Sequence, residues 1–273
     1  MNYFARLGDY SPALFLLVLF ALIYAAREVG FWLGLRHVTD PESSHDGVGT
    51  VVNSMLALLA FVLALTLSSS TSGFQERRQA ILSEANAIGS AWSMAEAAKA
   101  DPVTSLMADY TRVRRIYVEA PRDPARLAEL ETCTADLQSR MRTLAAAFMM
   151  EHPNPITEPL MTELNATFAA ANTTRFAFNV RLHPQIFWLL MVMTGISVAG
   201  LGYKLGMRGQ SMRILSALII LMWTWVMMNI LDLGTARIGT MSADASVYQW
   251  LLDDLGQQDR GDSRDLPQSC VSA

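Results

Sequence analysis

Four stretches of this chain are each long and oily enough to cross a bilayer, which restricts its architecture more than any other feature. A spanning helix needs about 20 mostly apolar residues. The first stretch runs from Pro12 to about Leu35, the second from Gly47 to about Ser70, the third from Pro184 to about Leu205 and the fourth from Met212 to about Gly234. Hydrocarbon offers no partner to a backbone polar group, so each is read as a helix. An N-terminal apolar run can also be a cleaved signal peptide. Here apolar sequence resumes after Arg27-Glu28 with Phe31, Trp32 and Leu35, and no clean small-x-small cleavage site follows, so the run is read as a span.

Composition narrows the function classes. The chain is 52% hydrophobic and only 17% charged, unlike an average soluble domain. A net charge of −4 argues against nucleic acid as a partner. Cys133 and Cys270 stand in unrelated contexts, and none of the four histidines is spaced to pair with another, so neither a metal site nor a disulfide framework is read from them. No phosphate loop, nucleophile elbow or dinucleotide fingerprint occurs. Glu76, Glu84, Glu96, Asp109 and Glu119 fall where solvated faces of amphipathic helices are expected. No cofactor is expected, and an enzyme is the class the residues support least.

The expected fold is an all-α membrane protein with four transmembrane helices and a helical extramembrane domain inserted between the second and third. Residues 1–71 hold the N-terminal segment and the first two spans, 72–183 the domain, 184–236 the last two spans, and 237–273 a partly disordered, acidic tail. Within the domain, Ile81, Ala85, Ile88, Trp92 and Ala95 recur at helical spacing, followed by Leu106, Tyr110, Val113 and Tyr117. Leu127, Leu130, Leu137, Met141, Leu144 and Phe148 mark a third helix, and Leu160, Leu164, Phe168, Ala171, Phe178 and Leu182 a fourth. Prolines at 102, 121, 124, 153, 155 and 159 punctuate them. In the tail, Val247, Tyr248, Trp250, Leu251 and Leu252 form an apolar patch suited to a neighbour or the membrane interface. Four spans leave both termini and the domain on one side. Charges near the helix ends are divided between the two sides, and the positive-inside rule has little grip on long domains. The reading adopted places termini and domain in the cytoplasm.

Polar groups in lipid are costly and usually face protein or water. Arg27 and Glu28 sit late in the first span, either as an interface pair with Arg27 snorkelling to the headgroups or with Glu28 turned inward near Asn53. Asn229 and Asp232 lie late in the fourth span. Asp232 either pairs with Arg237, Arg77 or Arg78 or helps line an ion path. The second span carries the strongest pattern: Asn53, Ala57, Ala60, Ala64, Ser68 and Thr71 lay one stripe of small or polar side chains along a single helix face. Such a stripe either lets helices pack closely or lines a pore, with Ala60 and Ala64 at a dry constriction. Below it the sequence stays helical without a proline, and Gly73 is the one weak point, where the helix either bends or runs straight through.

Residues 57–92 resemble the bacterial membrane proteins known as bestrophin-like. The shared features are an apolar span, an aromatic-x-x-Arg-Arg step (Phe74, Arg77, Arg78) and a Glu-Ala-Asn-x-Ile-Gly element carrying Glu84, Asn86 and Gly89. The order of two spans, helical insert and two spans agrees over roughly residues 11–240. The resemblance implies kinship with pentameric anion channels whose second span lines the pore and whose helical domain is cytosolic. It also implies residence in a bacterial inner membrane. The calcium clasp and the aromatic neck ring of bestrophins have no counterpart here. The expectation is a homo-oligomeric, anion-leaning ion channel embedded in the lipid bilayer, with Arg77 and Arg78 at the pore exit. The rival expectation is a non-conducting scaffold or sensor whose helical domain binds a partner protein.

Overall fold

Each oily stretch satisfies its backbone in the one way a bilayer allows, as a single helix. The structure, a computed structural model, describes residues 12–36, 43–153, 157–180, 184–235, 244–254 and 270, and among them there is no strand. The helices are α1 (Pro12–Arg36), α2 (Ser43–Ala97), α3 (Asp101–Glu119), α4 (Pro124–Glu151), α5 (Glu158–Asn179), α6 (Pro184–Met207), α7 (Arg213–Gly234) and α8 (Ser246–Asp254). Four of them, α1, α2, α6 and α7, are long and apolar enough to cross a membrane, and the chain is a multi-pass membrane protein. Gly73 does not end the second helix: α2 is helix from Ser43 to Ala97, 55 residues.

The chain divides into two compact units, one of Met1–Gly73 with Arg181–Met241, the other of Phe74–Val180 with Ser242–Ala273. The first holds α1, the apolar part of α2, α6 and α7. Its core joins Phe15, Leu19 and Ile23 of α1 to Leu59 and Leu63 of α2, Leu190 and Val198 of α6, and Ile220, Met227 and Ile230 of α7. Three buried threonine hydroxyls stay inside their own helices. Thr66 donates to Val62 O at 2.8 Å, Thr194 to Leu190 O and Thr224 to Ile220 O, both at 2.7 Å, which removes the cost of an unpaired polar group in lipid. The outer surface is oily: Leu17, Leu22, Val192, Ile214 and Met222 are all exposed. That is the reverse of a soluble domain and suits hydrocarbon contact. Trp32 stacks under the Arg36 guanidinium at 3.4 Å at the end of α1, the aromatic-plus-basic pairing typical of a membrane interface.

One pairing within this unit went unread in the sequence. Gly30 and Gly34 of α1, and Gly202 and Gly206 of α6, are two G-x-x-x-G pairs, and they face each other. A Cβ built on Gly30 would strike the Ala199 carbonyl, one on Gly34 that of Tyr203, one on Gly202 that of Arg27, and one on Gly206 that of Phe31. Backbone meets backbone here, and only a hydrogen fits between. Lipid supplies no hydrophobic drive between helices, so such close van der Waals contact is what joins them.

In the second unit three of the punctuating prolines prove to be helix starts: Pro102, Pro124 and Pro159 occupy first turns, where a missing N–H costs nothing. The inward positions read from periodicity on the continuation of α2 and on α3 are buried, from Ile81 to Ala95 and from Leu106 to Tyr117. Two threonines zip α5 to α2, Thr167 donating to Ala87 O at 3.0 Å and Thr174 to Ala80 O at 3.2 Å. At the end of α2, Lys99 takes φ +57°, and Ala100 N–H returns to Ala95 O at 2.8 Å, closing the helix before α3 begins.

Three expectations need correction here. The cysteines are not unrelated: Cys133 of α4 and Cys270 form a disulfide. The apolar patch after the fourth span docks on its own chain. Tyr248 is fully buried and Leu252 nearly so, whereas Trp250 alone is left largely exposed among the three. The carboxylates are not all solvated, since Glu84 is completely buried and Asp109 nearly so. The expected disorder of the tail falls on residues outside those described, α8 and Cys270 excepted.

Candidate functional site

At about 100° per residue, the apolar part of α2 carries three faces, each about a third of a turn from the next. One is turned into the first unit and holds Val52, Leu59, Leu63, Thr66 and Ser70, all buried. A second holds Val51, Leu58, Phe61 and Leu65, large, apolar and exposed. The third holds Asn53, Ala57, Ala60, Ala64, Ser68 and Thr71, every one exposed in the single chain. The small-residue stripe is therefore not the surface by which α2 packs within this chain. Packing and oily contact already have faces of their own.

The third face continues into the second unit with the same step. Gln75, Arg78, Leu82, Asn86 and Ser93 follow Thr71 at spacings of three, four or seven, and all are exposed. At its other end Asn53 Oδ1 accepts a hydrogen bond from Lys204 Nζ at 3.2 Å, so a cation of α6 stands beside the first member. Thr71 returns its hydroxyl to Leu67 O at 2.9 Å.

The two arginines of the aromatic-x-x-Arg-Arg step part company. Arg78 lies on the exposed face, and its charge helps hold the Asp244 carboxyl below its usual range, after the hydrogen bonds from the Ser246 N–H and hydroxyl. Arg77 is turned inward, only 4% exposed, over the Phe74 ring. Its place a single residue earlier rotates it by about 100° onto the core side.

Other polar residues of the first unit settle differently from a snorkelling scheme. Arg27 is fully buried. It donates to Glu28 Oε1 at 2.7 Å and to the Ser211 carbonyl in the turn before α7, and lies over the Phe31 ring. Glu28 remains about a third exposed beside it, and Asn53 has Lys204, not Glu28, as its partner. Asn229 donates to its own helix at Trp225 O. Asp232 is buried, and Arg237, one of its expected partners, lies outside the described residues.

The Glu-Ala-Asn-x-Ile-Gly element acquires a physical reason from the second unit. Glu84 accepts from Arg114 twice, from Nε at 2.5 Å and from an Nη at 3.0 Å. Arg114 also reaches Ala171 O and lies over the Tyr117 ring. The Tyr248 phenol stands beside the pair, and burial pushes its pKa well above the ordinary value. Burial alone would lower Arg114, yet the Glu84 charge and hydrogen bonds hold it raised. A desolvated pair is tolerated only with this completeness of hydrogen bonding. Ala85 and Ile88 are core, Asn86 is exposed on the third face, and Gly89 faces Leu251 of α8, where a Cβ would lie 3.5 Å away in ordinary van der Waals contact. Arg114 gives no signal of its own in the sequence, being thirty positions from Glu84, and Tyr248 shows only as part of an apolar patch, with nothing to mark its place beside the pair. Among the described residues no three His, Cys, Asp or Glu side chains are grouped to hold a metal ion.

Solved structures share this architecture. A bacterial bestrophin homologue from Klebsiella pneumoniae matches over 89% of this chain and 98% of its own, with TM-score 0.63 and 12% identity. A mutant of that homologue matches over 86% and 99%, with TM-score 0.61 and 12% identity, and another membrane protein over 89% and 98%, with TM-score 0.61 and 13% identity. No family model and no curated protein matches the sequence. Likeness at such identity concerns fold, and the fold is bestrophin-like.

Proposed function

We propose that this bestrophin-like chain is one subunit of a homo-oligomeric ion channel, anion-leaning, in which the third face of α2 lines the conduction path. One observation carries the reading: in the single chain a stripe of small and polar residues is exposed beside a separate oily face. Against lipid, Asn53 and the Ser68–Thr71 end would be poorly placed. Against copies of itself around an axis, the stripe would border water, narrow and dry at Ala60 and Ala64 and wetter at its ends. Arg78, exposed on the same face, would draw anions, whereas the buried Arg77 supports the helix from behind. The bestrophin-like fold supports assembly as a pentamer, as the family resemblance implies. A bacterial inner membrane with termini and second unit in the cytoplasm completes the proposal.

The second reading is a non-conducting scaffold, favoured by the fact that small residues also let helices of neighbouring copies pack tightly. Purified protein in liposomes separates the two. Ala60 is exposed in the single chain, so Ala60→Trp is expected to fold and assemble like the parent but to lose at least about nine-tenths of its ion flux, by the dewetting of a tighter constriction. Arg78→Glu is expected to shift the reversal potential away from anions. Background flux from the parent protein sinks the channel reading outright.

A further inference from the structure

We propose that Cys133 and Cys270 form a redox modification site, which when oxidised latches α8 onto the second unit and when reduced lets it go. They are the chain's only cysteines, so an intramolecular disulfide has a single possible pairing. Their Cα atoms lie 6.3 Å apart although 137 positions separate them, within the span of roughly 4.4–6.8 Å that a bridge requires. Between them in sequence lies α8, nine residues long. A helix of that length does not hold its shape alone, and α8 depends on its contacts. Tyr248 stands over the Glu84–Arg114 pair, Leu251 rests against Gly89, Leu252 is buried and Gln249 accepts from Arg115. A covalent anchor at Cys270, sixteen positions past Asp254, ties α8 down at its second end as well and raises its effective concentration over this seat. Gly89 falls on the third face of α2 by helical position, so the latch covers part of that face.

The oxidant is a low-molecular-weight disulfide of the glutathione class. One protein thiolate attacks a sulfur of the reagent and expels one thiol; the second protein thiolate attacks the resulting mixed disulfide and expels the other. The protein gives up two electrons and two protons, and the reagent takes both as two free thiols. Reducing cytosol keeps such a pair open at rest. Oxidant-dependent closing therefore rests on the cytoplasmic orientation proposed above, but not on conduction.

Full-length protein in its own membranes tests this. Thiols trapped by acid quenching and maleimide labelling are expected free in untreated cells and bridged after exposure to the thiol oxidant diamide. On purified protein, glutathione disulfide is expected to slow hydrogen exchange across residues 246–254 by about tenfold or more, and dithiothreitol to restore it. Cys133→Ser and Cys270→Ser are each expected to exchange at the reduced rate whatever the reagent. A bridge already complete in untreated cells, thiols that never bridge, or α8 exchange indifferent to redox state each overturns the switch. A membrane-impermeant maleimide shows which premise failed. Labelling of the reduced cysteines from the outer face removes the orientation, whereas labelling only in inverted vesicles with unchanged exchange removes the latch itself.

Discussion

Glu84→Ala is expected to destabilise the second unit by about 3–5 kcal/mol, because it strands Arg114 as a buried cation with no counter-ion. Both side chains are almost wholly inaccessible, and Tyr117, Tyr248 and the Ala171 carbonyl cannot take over two charge-assisted hydrogen bonds. Hydrogen exchange over residues 84–118 checks this, with protection falling by about two to three orders of magnitude. Replacing both partners, as in Glu84→Gln with Arg114→Met, removes the stranded charge and is expected to recover most of the loss. If the single and double variants exchange alike, the pair is not the keystone described. The comparison also separates structure from conduction. A variant that keeps its fold yet alters flux would point to the exposed face of α2 instead of its buried one.

The second large effect is expected in the first unit. Gly202→Ala adds one methyl group where the nearest atoms are the backbone of Arg27 and Phe31, which cannot swing aside as a side chain does. The helices must separate along their length, at a cost of about 1–3 kcal/mol or more. Gly195→Ala, the same chemical change on the same helix, meets nothing within 4 Å and is expected to be neutral or slightly stabilising, since alanine is the better helix former. Thermal stability of the two variants in detergent, measured side by side, tests the close approach of α1 and α6. Equal melting temperatures would sink it.

Legibility followed the range of the interactions. The four spans and the inward positions of α2 and α3 in the second unit were readable because apolar periodicity is a local signal. The stripe from Asn53 to Thr71 was readable as a stripe for the same reason. Whether it packed inside the chain was not, since that depends on which side of α2 the other helices occupy. Glu84 was misjudged because a lone carboxylate at helical spacing looks the same whether it meets water or an arginine thirty residues on. The glycine pairs at 30 and 34 and at 202 and 206 did carry a signal, the small-x-x-x-small spacing.

Sequence alone determined that this chain is helical, crosses a membrane and carries one long helix with a small, polar face, because length, hydropathy and periodicity act within a segment. Tertiary structure decided which faces meet. It turned Arg77 inward and left Arg78 outside, joined Glu84 to Arg114, seated α8 against Gly89 and brought Cys133 to Cys270. Each of these depends on how distant segments are oriented about their axes, where a rotation of about 100° per residue exchanges core for surface.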